Sequence, residues 1–306
     1  MPTSRPRPSI LLIGSSGQIG WELARSLSPL GEVTVPDREL LDLADPRTIA
    51  PTVSRVAPDC IVNAAAFTRV DEAEDAPDLA FRVNAEGPGV LAEEAARIGA
   101  LLVHYSTDYV FDGRSTVPYP EDEPTNPLSV YGESKRAGER AVLASDAAVL
   151  ILRTSWVYGL RRSNFLKTVL RLARERETLR IVDDQVGAPT WCRSVAEATS
   201  QILAKLQDGS GFAPPPGRRQ VFHMTASGST SWHGFATYAL ERDPARHEHR
   251  CREVVPIATE EYPTRAERPR FSVLDNRRLL DTFGIVLADW RTQVDLCLDR
   301  SPPARG

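Results

Sequence analysis

The chain has 306 residues, 42% hydrophobic and 25% charged, with a net charge of -4 and an isoelectric point near 5.8. That length supports a full core and two lobes, and the ordinary balance is that of a globular protein. The missing basic excess argues against nucleic acid as a partner, and no run approaches the ~20 apolar residues a membrane helix needs.

Residues 1–8, rich in proline, read as a frayed arm unlike the start of a secretory signal. The apolar run at 10–13 predicts a buried strand, then a glycine turn and a helix over 18–27. A strand is expected over 32–35, a helix over 48–56, and a strand over 60–63 that runs into Ala64-Ala-Ala66. A helix over 78–97 precedes a strand over 101–105. A further helix carries Tyr131 and Lys135 ahead of a strand over 148–153. Strands alternating with helices in this way imply right-handed βαβ units and a parallel sheet.

The second half is less regular. Helices are expected over 164–176 and 195–206, a Gly- and Pro-rich loop over 208–219, a strand over 221–224 and a helix over 231–240. From residue 241 the chain turns charged and proline-bearing, which suits a smaller lobe closing over a ligand. Cys60, Cys192, Cys251 and Cys297 are widely spaced and form no Cys-x-x-Cys pair. Free thiols and a cytoplasmic location are the expectation.

Several motifs fall on the units of this one sheet. Tyr131-Gly-Glu-Ser-Lys135 places a phenol and an ammonium one helical turn apart on one face. The ammonium is expected to favour the phenolate and lower a pKa that is ordinarily near ~10, so the phenol can protonate a carbonyl accepting a hydride. Gly14-Ser-Ser-Gly17-Gln18-Ile19-Gly20 follows the first strand and opens the first helix. There the backbone can turn tightly and hold a pyrophosphate at the helix N-terminus. Asp37, after the second strand, can accept hydrogen bonds from an adenosine ribose, while Arg38 beside it can receive a 2'-phosphate. NADPH and NADH both remain open on that reading. Thr107 sits at the carboxyl end of its strand, where open α/β sheets bind ligands, placed to hydrogen-bond a substrate carbonyl beside Tyr131.

Longer strings carry a resemblance. Val62-Asn-Ala-Ala-Ala-Phe-Thr-Arg-Val-Asp-Glu-Ala-Glu74, Ser106-Thr-Asp-Tyr-Val-Phe111 and Pro127-Leu-Ser-Val-Tyr-Gly-Glu-Ser-Lys135 resemble dTDP-4-dehydrorhamnose reductases of the extended short-chain dehydrogenase/reductase family. So do Arg153-Thr-Ser-Trp-Val-Tyr158, Asp184-Gln-Val-Gly-Ala-Pro-Thr190 and Arg268-Pro-Arg-Phe-Ser-Val-Leu-Asp275, in order and without a large gap.

The resemblance implies an α/β fold, a Rossmann-type doubly wound parallel sheet with a smaller C-terminal α/β substrate lobe. Residues 1–158, joined by 190–225, would form the dinucleotide-binding domain, with 159–189 and 226–306 as the substrate lobe. It implies NADPH- or NADH-dependent reduction of the C4 ketone of a dTDP-keto-deoxysugar to dTDP-L-rhamnose. Tyr131, Lys135 and Thr107 would be the catalytic residues. Gly14, Gly17, Gln18, Ile19, Gly20, Asp37 and Arg38 would hold the cofactor. Asp42 and Leu43 would flank its adenine; Ala66, Phe67 and Thr68 would lie on its nicotinamide side, where Lys135 would bond the ribose. Thr107 and Asp108 would touch the sugar, Trp156 would be an apolar wall, and Gln185 and Thr190 would lie near the nucleotide.

Some members of the family use Mg2+ at a dimer contact, and Glu22 resembles one such carboxylate position. Arg193 stands where a second carboxylate is expected, and a cation cannot ligate Mg2+, so no metal residue is assigned and the chain is read as a monomer or homodimer. Asp71, Glu72 and Glu74 read as a solvated helix face. His104, His223 and His233 show no ligand spacing. The alternatives are a sister ketoreductase making another deoxysugar, or a non-catalytic subunit resembling the regulatory beta subunit of methionine adenosyltransferase. Sugar epimerase chemistry ranks last.

Overall fold

In a computed structural model that describes residues 7–209 and 211–298, the first strand sets the layering. In β1 (Ser9–Ile13), Ile10 and Leu12 point to one face and Leu11 and Ile13 to the other, since neighbouring strand residues point oppositely. Both faces are therefore apolar, and helices cover both. The chain continues through α1 (Gln18–Ser26), β2 (Glu32–Thr34), α2 (Ile49–Val56) and β3 (Cys60–Asn63). Next come α3 (Val70–Asp75), α4 (Pro77–Phe81), α5 (Gly87–Ile98), β4 (Leu101–Thr107), α6 (Val130–Ala144) and β5 (Ala148–Thr154). After these follow α7 (Phe165–Glu175), β6 (Thr178–Val182), α8 (Cys192–Leu206), β7 (Arg219–His223), α9 (Trp232–Arg242) and β8 (Glu253–Ile257). Helices α10 (Arg277–Phe283) and α11 (Trp290–Cys297) close the described chain.

Six strands form one parallel sheet in the order β7-β5-β4-β3-β1-β2. Its order reverses between β1 and β3, and at such a switch point a crevice opens beyond the carboxyl ends of the strands. The central β3 and β4 are buried throughout, whereas the edge strand β2 begins with the exposed Glu32. Helices α1 and α8 pack together over the Ile10 and Leu12 face; α2, α5 and α6 cover the other. A separate apolar cluster packs α7, α9 and α11 around Leu166, Phe235 and Trp290, beside the parallel pair β6 and β8.

Three local expectations change. Of the arm at 1–8, residues 1–6 lie outside the described chain, but Arg7 and Pro8 are tied down. The Arg7 guanidinium donates to Ser28 O at 2.6 Å, and the Glu32 N–H to Pro8 O at 2.7 Å. The helix expected over 78–97 is split by a π turn at Arg82–Glu86, which turns Asn84 inward. The loop expected over 208–219 holds a short hairpin in which Gln207–Asp208 pairs with Gly211–Phe212.

Candidate active site

The crevice at the switch point is floored by the glycine loop. Gly14 adopts φ +86°, a left-handed conformation natural to glycine, and a Cβ there would lie 2.5 Å from Ala65 N. On Gly20 a Cβ would collide with the Gly14 carbonyl. Gly17 is the N-cap of α1, and no side chain caps that helix, so its first N–H groups face the crevice as a ready anion site. This cradle fits a dinucleotide pyrophosphate. The side chain of Gln18 is used elsewhere: it donates to Val157 O at 3.3 Å and accepts from Asn164 Nδ2 at 2.8 Å. Ile19 packs against the core.

Asp37 and Arg38 lie exposed in the turn after β2. Arg38 Nε is 3.0 Å from Asp42 Oδ2, so the cation proposed for a 2'-phosphate already holds a carboxylate. Leu43 is buried against Gly87. Past β3, Ala66, Phe67 and Thr68 form the opposite rim. Asn84 clamps that rim: its Oδ1 accepts the Phe67 N–H at 2.8 Å, and its Nδ2 donates to Phe67 O at 3.0 Å and to Ser134 Oγ at 2.9 Å. Asn84 lies within the π turn, a bulge of a kind frequent near functional sites.

At the end of β4 the chain turns through Asp108–Val110, and α6 begins behind a Ser129 N-cap whose hydroxyl accepts the Gly132 N–H at 3.2 Å. These two elements bring Thr107, Tyr131 and Lys135 together. The Tyr131 ring packs with Phe67, Ala73 and Ala80 and meets the Tyr109 ring edge-on, with centroids 5.6 Å apart. Burial pushes its phenol up to about 12; the Thr107 hydroxyl opposes the shift and the Asp108 charge adds to it. The expected lowering by Lys135 is therefore corrected. That lysine turns to β4, donating to Tyr105 O at 2.6 Å and lying 3.3 Å from His104 Nε2. Burial pushes Lys135 itself down to about 8, against the pull of Glu139. Desolvation is the largest cause at both groups, outweighing the Thr107 hydroxyl at Tyr131 and the Glu139 charge at Lys135.

Asp108 is also buried, seated behind Thr107 rather than on an open wall. It accepts from Thr107 Oγ1 at 3.0 Å and Ser155 Oγ at 2.9 Å, with Ser272 as a third donor. Burial still dominates and pushes its carboxyl up to about 6. The Thr107 hydrogen must therefore turn from Asp108 to meet a substrate oxygen. Beneath Lys135, Glu139 is paired with Arg153 through contacts of 2.7 and 2.8 Å, both side chains buried.

Beyond the carboxyl end of β5 lies an aromatic pair. Trp156 has φ +45°, strained for a non-glycine residue, and lies flat on Trp232, with centroids 3.5 Å apart and planes 4° apart. Gln185 accepts from Trp232 Nε1 at 3.2 Å and donates to Thr259 Oγ1 at 3.1 Å, so it braces this pair. Sequence reasoning missed Trp232; a tryptophan opening a helix of the smaller lobe was the available signal. Thr190 requires a correction. It is fully buried, donates to Ala188 O at 2.9 Å and accepts the Ala226 N–H at 3.1 Å, which makes it a fold contact rather than a pocket residue.

Of Asp71, Glu72 and Glu74 on α3, only Glu72 lies exposed, where it pairs with Arg69. Asp71 takes Arg268 through contacts of 2.7 and 3.1 Å, and Glu74 accepts the Val130 N–H at 2.9 Å. The first ties α3 to a segment 197 residues on, and the second anchors the start of α6. Arg193 pairs with Glu197 at 2.7 Å, and the nearby Glu22 charge adds to the pull that raises Arg193. Among the described residues no group of three or more His, Cys, Asp or Glu side chains is arranged to hold a metal. Burial and Arg153 push His223 down to about 3, and His233 lies 3.1 Å from Val254 O. Among those residues no helix is long and apolar enough to cross a membrane.

The chain matches the family model described as the RmlD substrate binding domain over residues 8–302. It is 48% identical over 293 residues to a dTDP-4-dehydrorhamnose reductase of Burkholderia thailandensis, covering 94% of this chain and 97% of the relative. The crystal structure of a dTDP-4-dehydrorhamnose reductase from Clostridium acetobutylicum superposes with a TM-score of 0.86 at 34% identity, covering 95% of this chain and 99% of that one. A Bacillus anthracis dTDP-4-dehydrorhamnose reductase in complex with NADP gives a TM-score of 0.86 at 31% identity, covering 96% and 100%.

Proposed function

The chain belongs to the dTDP-4-dehydrorhamnose reductase family, and from that premise we propose that it reduces the C4 ketone of dTDP-4-dehydro-6-deoxy-L-mannose, giving dTDP-L-rhamnose. NADPH or NADH, bound at the glycine loop, supplies the hydride. The single observation that carries the reading is that Thr107 meets Tyr131, one helical turn from Lys135, at the carboxyl edge of the sheet whose first strand leads into that loop. Tyr131 gives its proton to the developing alkoxide, and Thr107 turns its hydroxyl from Asp108 to the same oxygen. A phenol with its pKa pushed up to about 12 keeps its proton until the stronger base arrives, which suits an acid better than a base. Lys135, at about 8, sits near enough to neutrality to restore that proton. Trp156 offers a flat apolar face to the deoxysugar, and Trp232 fixes its angle.

On this reading residues 1–158 with 190–225 hold the dinucleotide, and 159–189 with 226–306 hold the sugar nucleotide. The described cysteines are all free, which suits the cytoplasm. The working unit is a monomer or homodimer without a metal bridge. Purified protein given the keto-sugar nucleotide and NADPH should consume the reduced cofactor, followed by absorbance, equally well with a chelator present. Tyr131→Phe should lower kcat by about a hundredfold or more. A variant as fast as the parent removes Tyr131 as the acid.

A further inference from the structure

His104 lies within β4 with no exposed surface, wedged between Asn63 of β3 and Lys135 of α6, and the proposed chemistry leaves it unused. Its Nδ1 is 3.1 Å from Asn63 Nδ2, and its Nε2 is 3.3 Å from Lys135 Nζ. The Asn63 amide has a fixed orientation, because its Oδ1 accepts the Ala65 N–H at 3.2 Å. Its NH2 therefore faces the imidazole, and an amide NH2 only donates. Nδ1 must be the bare, accepting nitrogen. Burial and the lysine charge both push His104 well below its ordinary range, so the ring is neutral and its one hydrogen sits on Nε2, aimed at Lys135.

An ammonium has no lone pair with which to receive that hydrogen, whereas an amine has one. Lys135 as an amine can donate to Tyr105 O and accept from His104 at once. We propose that His104, locked by Asn63 in its Nε2–H tautomer, is a positioning residue that holds Lys135 ready to give up a proton. This rests on the reading of Tyr131 and Lys135 as the proton-transfer pair. When the Tyr131 O–H bond breaks and the product O–H forms, the Lys135 ammonium returns a proton to the phenolate. The amine left behind receives the Nε2–H bond until water restores its proton. The groups bearing on Lys135 are His104 from β4, Glu139 from α6 and, held by Glu139, Arg153 from β5. Asp108 acts on Tyr131 from the turn after β4.

Nitrogen-15 NMR of histidine-labelled protein reads the tautomer without turnover. His104 should show a protonated Nε2 and a bare Nδ1 from about pH 6 to 9; a protonated Nδ1 overturns the proposal. Asn63→Asp puts an acceptor where the donor was, which moves the hydrogen to Nδ1 and leaves Nε2 to accept from an ammonium. The Lys135 titration, followed by carbon-13 NMR of labelled lysine, should then rise by about one pH unit or more, and an unmoved titration overturns the idea. Should that variant not fold, His104→Gln can turn its carbonyl to the lysine and predicts the same rise. A chain with this tautomer but no reductase activity would sink the assigned reaction and leave the tautomer lock standing.

Discussion

The two walls of the crevice are built on different principles. The wall of β4 and α6 sets Thr107, Tyr131 and Lys135 through regular elements, with buried charges locked behind them. The aromatic wall sets Trp156 through a strained backbone and a stack with Trp232, braced by Gln185 and Thr259 from separate parts of the chain. One wall is stiff and tuned for protons; the other is assembled from distant pieces and tuned for shape. Disturbing the first should change stability and pH behaviour, and disturbing the second should change substrate affinity.

The largest separation should come from Glu139→Gln, which leaves the Arg153 charge buried without its partner. Breaking such a pair costs about 3–5 kcal/mol, read as a loss of unfolding free energy in denaturant titration. The same change removes the charge that holds Lys135 up, so the alkaline fall in kcat should move below about 8. An unchanged profile would detach Lys135 from the chemistry. Asp108→Asn should be gentler. Its carboxyl is raised to about 6 in the folded chain, so its contribution to stability is full below the unfolded value of ~3.9 and is lost as pH climbs through about 6. The variant should therefore flatten the stability profile across that window, by on the order of 1–3 kcal/mol. A parent protein that gained stability over the same interval would reverse the assignment.

The stiff wall was the legible one. Buried strands, the glycine turn and the Tyr-x-x-x-Lys spacing are short-range patterns, and local geometry alone puts their side chains on one face. The direction of the Tyr131 shift was not legible, because burial of the phenol depends on Phe67 and Ala80, which reach it from other elements. The π turn escaped because the helical period continues on both sides of it; Asn84 in mid-helix was its one trace. Asp71 and Glu74 looked solvated for the same reason, since Arg268 lies 197 residues from Asp71. Thr190 was placed by resemblance of its string, yet its hydroxyl accepts the Ala226 N–H from 36 residues on, which no local pattern points to.

Trp232 gives the smallest effect and the cleanest discrimination. Its indole packs on Phe165, with centroids 4.5 Å apart, and on Trp156, and is tethered through Nε1 to Gln185. Trp232→Ala removes the support beneath Trp156 while leaving β4, α6 and the glycine loop untouched. Trp156, already at φ +45°, then has nothing flat to rest on and loses its fixed angle toward the sugar. Stacking of this kind contributes about 0.5–1.5 kcal/mol, so KM for the sugar nucleotide should rise roughly three- to tenfold. KM for NADPH and the position of the alkaline limb should stay where they are, since the glycine loop reaches Val157 and Asn164 beside this wall, through Gln18, and not the indoles themselves. A rise in KM for the cofactor as well would mean that the walls are coupled, and that the aromatic stack serves the closure of the whole crevice instead of the fit of one substrate.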